Sequence, residues 1–309
     1  MSAIAFYIQY TILSLLALLP LGILYVVADG MYLILYYIVR YRIKIVRENL
    51  RRSFPDKSDL EVLKIEKAFY RNFADMIVES LKMIHMSQDQ LSKRIPLLNP
   101  EILDRYRNSG RSVVAVGAHY CNWEWTLGIV PFLKYETIGV YKPLNNKRFD
   151  NLVNQTRSRF STRMVSMREV IRVLLKYQKD KIPTFNVFIA DQSPVWEEVQ
   201  YWIPFMNQLT AVYLGPEKIA RQFNMVVLYG KVCRTGRGRY SIELIPIEEN
   251  PMETSEFEIT TKFFRLLENQ IRSEPENWLW SHRRWKLTRK SEKEERNGIF
   301  RFSEKNTRK

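Results

Sequence analysis

The first 28 residues carry no charged side chain, and residues 4–28 are long enough to cross a bilayer core, which takes about 20 apolar residues. A retained N-terminal anchor is therefore expected. A cleaved signal peptide is the rival, but it calls for a basic leader, a shorter apolar core and a small-residue cleavage site, and the basic leader is missing. Pro20 falls inside the run, where a membrane helix tolerates a kink. Asp29-Gly30 breaks it, and residues 31–39 form a second apolar patch, too short to span alone, that continues the helix or lies in the interface. Arg40, Arg42, Lys44, Arg47, Arg51 and Arg52 follow against the single acid Glu48. Cations at one end of an apolar segment put that end on the cytoplasmic side. They also suit anionic head groups, each worth about 1 kcal/mol near the surface. A merely solvated helix face is the alternative.

Beyond the anchor, the 309 residues have room for one large domain with appendages. A net charge of +15 implies an anionic partner: nucleic acid, anionic lipid, a phosphorylated substrate or an acidic protein. Two cysteines far apart provide no disulfide framework and fit a reducing compartment. The three histidines, His85, His119 and His282, form no zinc-ligand pattern, so no metal is expected.

The chain divides into an anchor over residues 1–40, a basic juxtamembrane segment over 41–56, an α/β domain over 57–290 and a charged, loosely ordered tail over 291–309. Residues 59–86 read as a long amphipathic helix, with Val62, Ile65, Phe69, Phe73, Met76 and Ile77 at helical spacing. From Ser112 onward short apolar runs alternate with helical segments. The spacing predicts strands at 113–116, 137–141, 185–190, 225–231 and 240–246. It predicts helices at 122–132, 148–160, 168–178, 216–223 and 255–272. That alternation argues an α/β fold around a mostly parallel sheet, its later strands left open to run antiparallel, and sites in such sheets lie beyond the carboxyl ends of strands.

Two such ends carry chemistry. V-V-A-V-G-A-H-Y-C-N-W-E-W over 113–125 is a buried strand, a small-residue exit at Gly117-Ala118, then His119, the helix cap Asn122 and Glu124. If the chain bends between them, Glu124 can hold one imidazole nitrogen and leave the other as a base; otherwise His119 is a structural histidine. Cys121 is either a nucleophile or a small buried thiol. Asp191, in I-A-D-Q-S-P, is the second strand end, as a site residue or a turn cap before Pro194. Arg157, Arg159 and Arg163, with Lys142, Lys147 and Arg148 upstream, could grip phosphate oxygens as a group or be solvated singly. In W-L-W-S-H-R-R-W over 278–285, Arg283 and Arg284 either reach an anionic substrate or stack on indole in a packed corner. A nucleic-acid-binding surface is the distant alternative, disfavoured by the anchor.

These residues together resemble the bacterial lipid A biosynthesis late acyltransferases, the lauroyl/myristoyl transferases of the wider glycerolipid acyltransferase fold. The resemblance covers most of the chain. It runs through Arg47-x-Asn49-Leu50-x-x-Ser53-Phe54-Pro55, the H-x4-E pair His119 and Glu124, and Val140-Tyr141-Lys142-Pro143. It continues through Arg157 with Arg159, Ala190-Asp191-Gln192, Pro204-Phe205, Gly215-Pro216, Ala220-Arg221, Asn250-Pro251 and Trp278-Leu279-Trp280-x-His282-Arg283-Arg284-Trp285-Lys286. It implies transfer of a fatty acyl group from acyl carrier protein to a hydroxyl of a lipid A precursor at the inner membrane. His119 would be the general base and Glu124 its orienting partner, with one of Arg157 and Arg159 and also Asp191 matching further family residues. Neither a cofactor nor a nucleic-acid partner is implied. A sibling enzyme acting on a lyso-aminolipid or lysophospholipid is the nearer alternative. Two departures, Met206-Asn207 in the turn after Pro204-Phe205 and Val212 in place of a common Thr, fall where loops would shape the acyl or acceptor pocket.

Overall fold

A computed structural model describes residues 3–287, so the tail expected over 291–309 lies outside the described residues. Helix α1 (Ala3–Leu18) stops at Leu19-Pro20, and α2 (Leu21–Leu33) restarts and runs on through a π-turn, Ile34–Ile38. Pro20 cannot donate to the preceding turn, so the carbonyls ending α1 need other partners. Lys82 supplies them: its Nζ donates to the oxygens of Ala17, Leu18 and Leu19 at 2.9, 3.3 and 2.8 Å. Among the described residues the longest apolar helical stretch is thus Leu21–Ile38, not the expected residues 4–28.

The basic segment forms α3 (Ile43–Ser53), and α4 (Asp59–Lys82) follows. Ser58 starts α4 with a capping box: its side chain accepts from the Glu61 N–H, and Glu61 Oε2 accepts the Ser58 N–H at 2.8 Å. Short helices α5 (Gln88–Ser92) and α6 (Glu101–Asn108) lead to β1 (Val113–Gly117). The expected helix over 122–132 is instead a 3₁₀ segment, Trp123–Ile129, and the single turn α7 (Val130–Leu133). Then come β2 (Glu136–Tyr141), α8 (Lys147–Ser158), β3 (Thr162–Ser166), α9 (Val170–Lys179) and β4 (Thr184–Ile189). A hairpin of β5 (Tyr201–Phe205) and β6 (Gln208–Val212) precedes α10 (Gly215–Phe223), β7 (Val226–Gly236), β8 (Arg239–Glu248) and α11 (Glu258–Ser273).

The main sheet has the order β3-β2-β4-β1-β7-β8, parallel except for the antiparallel β8 edge, as the alternating pattern predicts. Side chains alternate across it. Val114, Val116 and Val227 join the core beneath α4, α10 and α11, while Val113, Ala115 and Phe185 join the core beneath α6, α7 and the 3₁₀ segment. β1 is central and buried on both faces, which is why its sequence is a continuous apolar run.

Candidate active site

β1 and β4 are parallel neighbours, with Gly117 opposite Ile189. Carrying that register two residues past the strand ends sets His119 beside Asp191. His119 Nδ1 lies 2.7 Å from Asp191 Oδ1, and its backbone N–H donates to Oδ2 at 3.1 Å. The Trp278 indole N–H donates to Oδ2 as well, at 2.8 Å. Asp191 is 2 % exposed. Burial alone would raise its pKa, but the His119 ring, the Trp278 indole and the backbone N–H outweigh it and hold the carboxyl below the usual aspartate range. An ionised carboxylate on Nδ1 makes that nitrogen the protonated one and leaves Nε2 with its lone pair. Nε2 faces the Gln192 side-chain amide at 3.2 Å. The Trp123 ring stands edge-on to the imidazole, centroids 4.8 Å apart.

The carboxylate that orients His119 is therefore Asp191, not Glu124. The reason lies in the exit from β1. Cys121 takes a left-handed φ of 51°, its N–H donates to Asn277 O at 2.8 Å, and Asn122 caps the 3₁₀ segment by accepting from Trp125 N at 3.3 Å. That turn swings Glu124 toward α8, where it accepts from Arg157 Nε at 2.9 Å and Nη2 at 2.5 Å. Trp123 Nε1 also donates to it, at 3.2 Å. The pair is mostly enclosed, with side chains 18 % and 23 % exposed. Burial disfavours the Arg157 cation, yet Glu124 holds its pKa raised.

His119, Glu124, Arg157, Gln192 and His282 all line one cavity of about 670 Å³, within the roughly 300–1,000 Å³ of ordinary ligand sites. Its floor is the sheet face carrying Ala115, Gly139, Met164, Phe185 and Val187, roofed by Ile129, Val130 and Leu133. From the Gly117–Ile189 row down to Phe185 is four residues, about 13 Å at ~3.3 Å each. Gly139 keeps this floor open. A Cβ there would come within 2.8 Å of Met164 Sδ and 3.2 Å of Thr162 Cγ2. The cavity is polar at the strand ends, where Lys142, Arg157 and Lys286 stand among Glu124, Asp150 and Glu198, and apolar below.

The remaining candidates part company. Arg159, two residues beyond Arg157 and so about 200° round the helix, is exposed and donates to the Ile84 carbonyl. Arg283 is exposed and outside the cavity lining. Arg284 is the packed-corner alternative: 2 % exposed, donating to Ala211 O at 2.7 Å, its guanidinium 5.7 Å over the Phe264 ring. Burial lowers its pKa to about 10. It does not line the cavity. Cys121 is half-buried, and its enclosed surroundings push the thiol pKa well up, which argues against a thiolate nucleophile. Met206 and Asn207, both at positive φ, form the two-residue β5–β6 turn, Met206 and Val212 are buried, and none of the three lines the cavity. These departures do not shape the pocket. Gln192 and Trp278 are site residues that spacing did not single out, although each lies in a motif already marked. His282 is pushed down to about 4 by burial, and its Nε2 accepts the Ser193 N–H at 3.4 Å.

The sequence profile of the family described as bacterial lipid A biosynthesis acyltransferase matches residues 1–287. The chain is 24 % identical over 280 residues to the lipid A biosynthesis lauroyltransferase of Escherichia coli K12, covering 89 % of each chain. It is 23 % identical over 250 residues to the lipid A biosynthesis palmitoleoyltransferase of the same organism, covering 80 % of each. A lipid A biosynthesis acyltransferase of Haemophilus influenzae is 23 % identical over 256 residues, or 82 % of this chain and 79 % of that one.

Proposed function

The chain belongs to the bacterial lipid A biosynthesis acyltransferases, and from that membership we propose that it moves a fatty acyl group from an acyl carrier protein thioester to a hydroxyl of a lipid A precursor, with His119 as general base. The observation that carries this reading is the imidazole held by Asp191 at the polar mouth of a cavity whose floor is apolar.

The acceptor hydroxyl takes the place of the Gln192 amide at Nε2. His119 removes its proton as the oxygen attacks the thioester carbonyl, and Asp191 stabilises the imidazolium that forms. The tetrahedral intermediate collapses to the ester, and His119 returns the proton to the departing carrier thiol. Glu124 fixes the plane of the Arg157 guanidinium, so that its charge faces the carbonyl oxygen or the phosphorylated acceptor. Lys142 and Lys286 give the lining two further cations, placed to meet phosphate groups or an acidic carrier protein. The acyl chain lies along the floor over Ala115 and Gly139. The enzyme works at the bacterial inner membrane with its site on the cytoplasmic side, where the basic segment after α2 meets anionic head groups.

The test supplies the purified full chain with an acyl carrier protein thioester and, separately, a lipid A precursor, a lyso-aminolipid and a lysophospholipid, and reads products by mass spectrometry. One acyl mass added to the glycolipid, with release of carrier thiol, is expected. Acylation of only the other lipids, or none from the carrier thioester, would contradict the assignment.

A further inference from the structure

The stretch Leu21–Ile38 is long and apolar enough to cross a bilayer, but the molecule's own bonds lay it along α4. Leu24, Ala28, Tyr32 and Tyr36 form its buried face. The Tyr25 hydroxyl donates to Glu79 at 3.0 Å and the Tyr36 hydroxyl to Glu66 at 2.9 Å. The reversed order of the two carboxylates makes the helices antiparallel neighbours over the eleven-residue rise from Tyr25 to Tyr36, about 16 Å. Midway along the stretch, Asp29 accepts from Arg237 Nη2 at 2.6 Å. The same guanidinium holds Asp75 at 2.7 Å, and Arg234 binds Asp75 at 2.7 Å. A crossing α2 would carry this ion cluster and α4 to the centre of the hydrocarbon, the place where charged side chains are least tolerated.

The outward face is equally apolar. Ile23, Val26, Leu33, Ile34, Tyr37 and Ile38 are 48–75 % exposed and form one stripe, and the stripe ends at the exposed cations Arg40, Arg42 and Lys44. A continuous exposed apolar stripe capped by cations matches the boundary between acyl chains and anionic head groups. We infer that the outer face of α2 beds in the plane of one anionic leaflet, holding the α/β domain against the membrane, and that Leu21–Ile38 does not span. This inference is independent of the transferase reading and is tested without any substrate.

Spin labels at Ile23→Cys, Val26→Cys, Leu33→Cys and Tyr37→Cys, each in a full-length background with Cys121→Ser and Cys233→Ser, report depth through oxygen and nickel-reagent accessibility. The vesicles are phosphatidylcholine with one third phosphatidylglycerol. All four side chains point outward, and a melting curve checks each fold. An in-plane helix puts the four labels at one shallow depth, about 5–10 Å into the boundary. A spanning helix separates positions 23 and 37 by about 21 Å along the normal, and that result would overturn the inference. So would labels shielded from both reagents, as in a contact between two copies. Vesicles lacking phosphatidylglycerol should bind at least threefold less protein, and undiminished binding would remove the anionic leaflet as the partner.

Discussion

Two carboxylates at the mouth of the cavity, Asp191 and Glu124, are held in opposite ways. On the strand wall, Asp191 is buried, and its oxygens take the His119 ring, the His119 backbone N–H and the Trp278 indole. Sheet register sets those positions, so neither group can shift without disturbing β1 or β4. On the helix wall, Glu124 sits on a 3₁₀ segment and meets Arg157 from α8, both partly open to the cavity. A pair carried on two separate short elements can move with a ligand, whereas one fixed by a sheet cannot. The strand wall has the rigidity that proton transfer needs, and the helix wall has the charge and freedom that recognition of an anionic lipid needs.

Among the groups that assist His119, Asp191→Asn is expected to cost most. An amide cannot support the imidazolium, and the rate should fall about 10²–10⁴-fold with KM little changed. Steady-state kinetics beside a melting curve separates this from misfolding. Glu124→Gln and Arg157→Gln should each lose less, mainly through KM. In a double-mutant cycle the two should couple by about 0.5–3 kcal/mol, while Glu124 and Asp191 stay near additive. Strong coupling of Glu124 to Asp191 instead would merge the two walls into one unit.

His282 tests the rigidity of the strand wall through pH. Its folded-state pKa is depressed to about 4 from 6.5 by burial. The unfolded chain therefore binds the extra proton first, and stability is full above about pH 6.5 and lost progressively as pH falls toward 4. Melting temperatures at pH 7 and 5 should drop more for the native chain than for His282→Gln. The smallest effect on rate belongs to Met164→Ala. Clearing the space beside Gly139 should shift the accepted acyl length upward by a few carbons at nearly unchanged rate, read as product mass.

Much of the strand wall could be read from the chain. Val113, Val114 and Val116 mark β1, Gly117-Ala118 marks its exit, and both His119 and Asp191 fall at strand ends, where sites in α/β sheets lie. That they touch could not be read, because it depends on β4 lying beside β1, a long-range pairing that no local pattern encodes. Glu124 was nearer in sequence and was expected to hold His119, but the left-handed Cys121 turns it away. Arg157 and Arg159 looked equivalent until α8 put them on opposite sides. Arg284 stays open in the sequence between a substrate cation and a packed corner, because the packing that decides it, against Phe264 and Ala211, comes from elements far away in the chain. The strand β3 and the β5–β6 hairpin are not legible in the sequence, because they are short segments whose apolar residues are broken by Arg163 and by Pro204.

The central claim is that the His119 imidazole moves the acceptor's proton, and single-turnover acyl transfer by His119→Ala tests it most directly. With carrier thioester and acceptor both saturating, the rate should fall at least 10²-fold while the protein still melts cooperatively and binds vesicles as the native chain does. A His119→Ala protein that folds, binds and still transfers the acyl group at the native rate would contradict it.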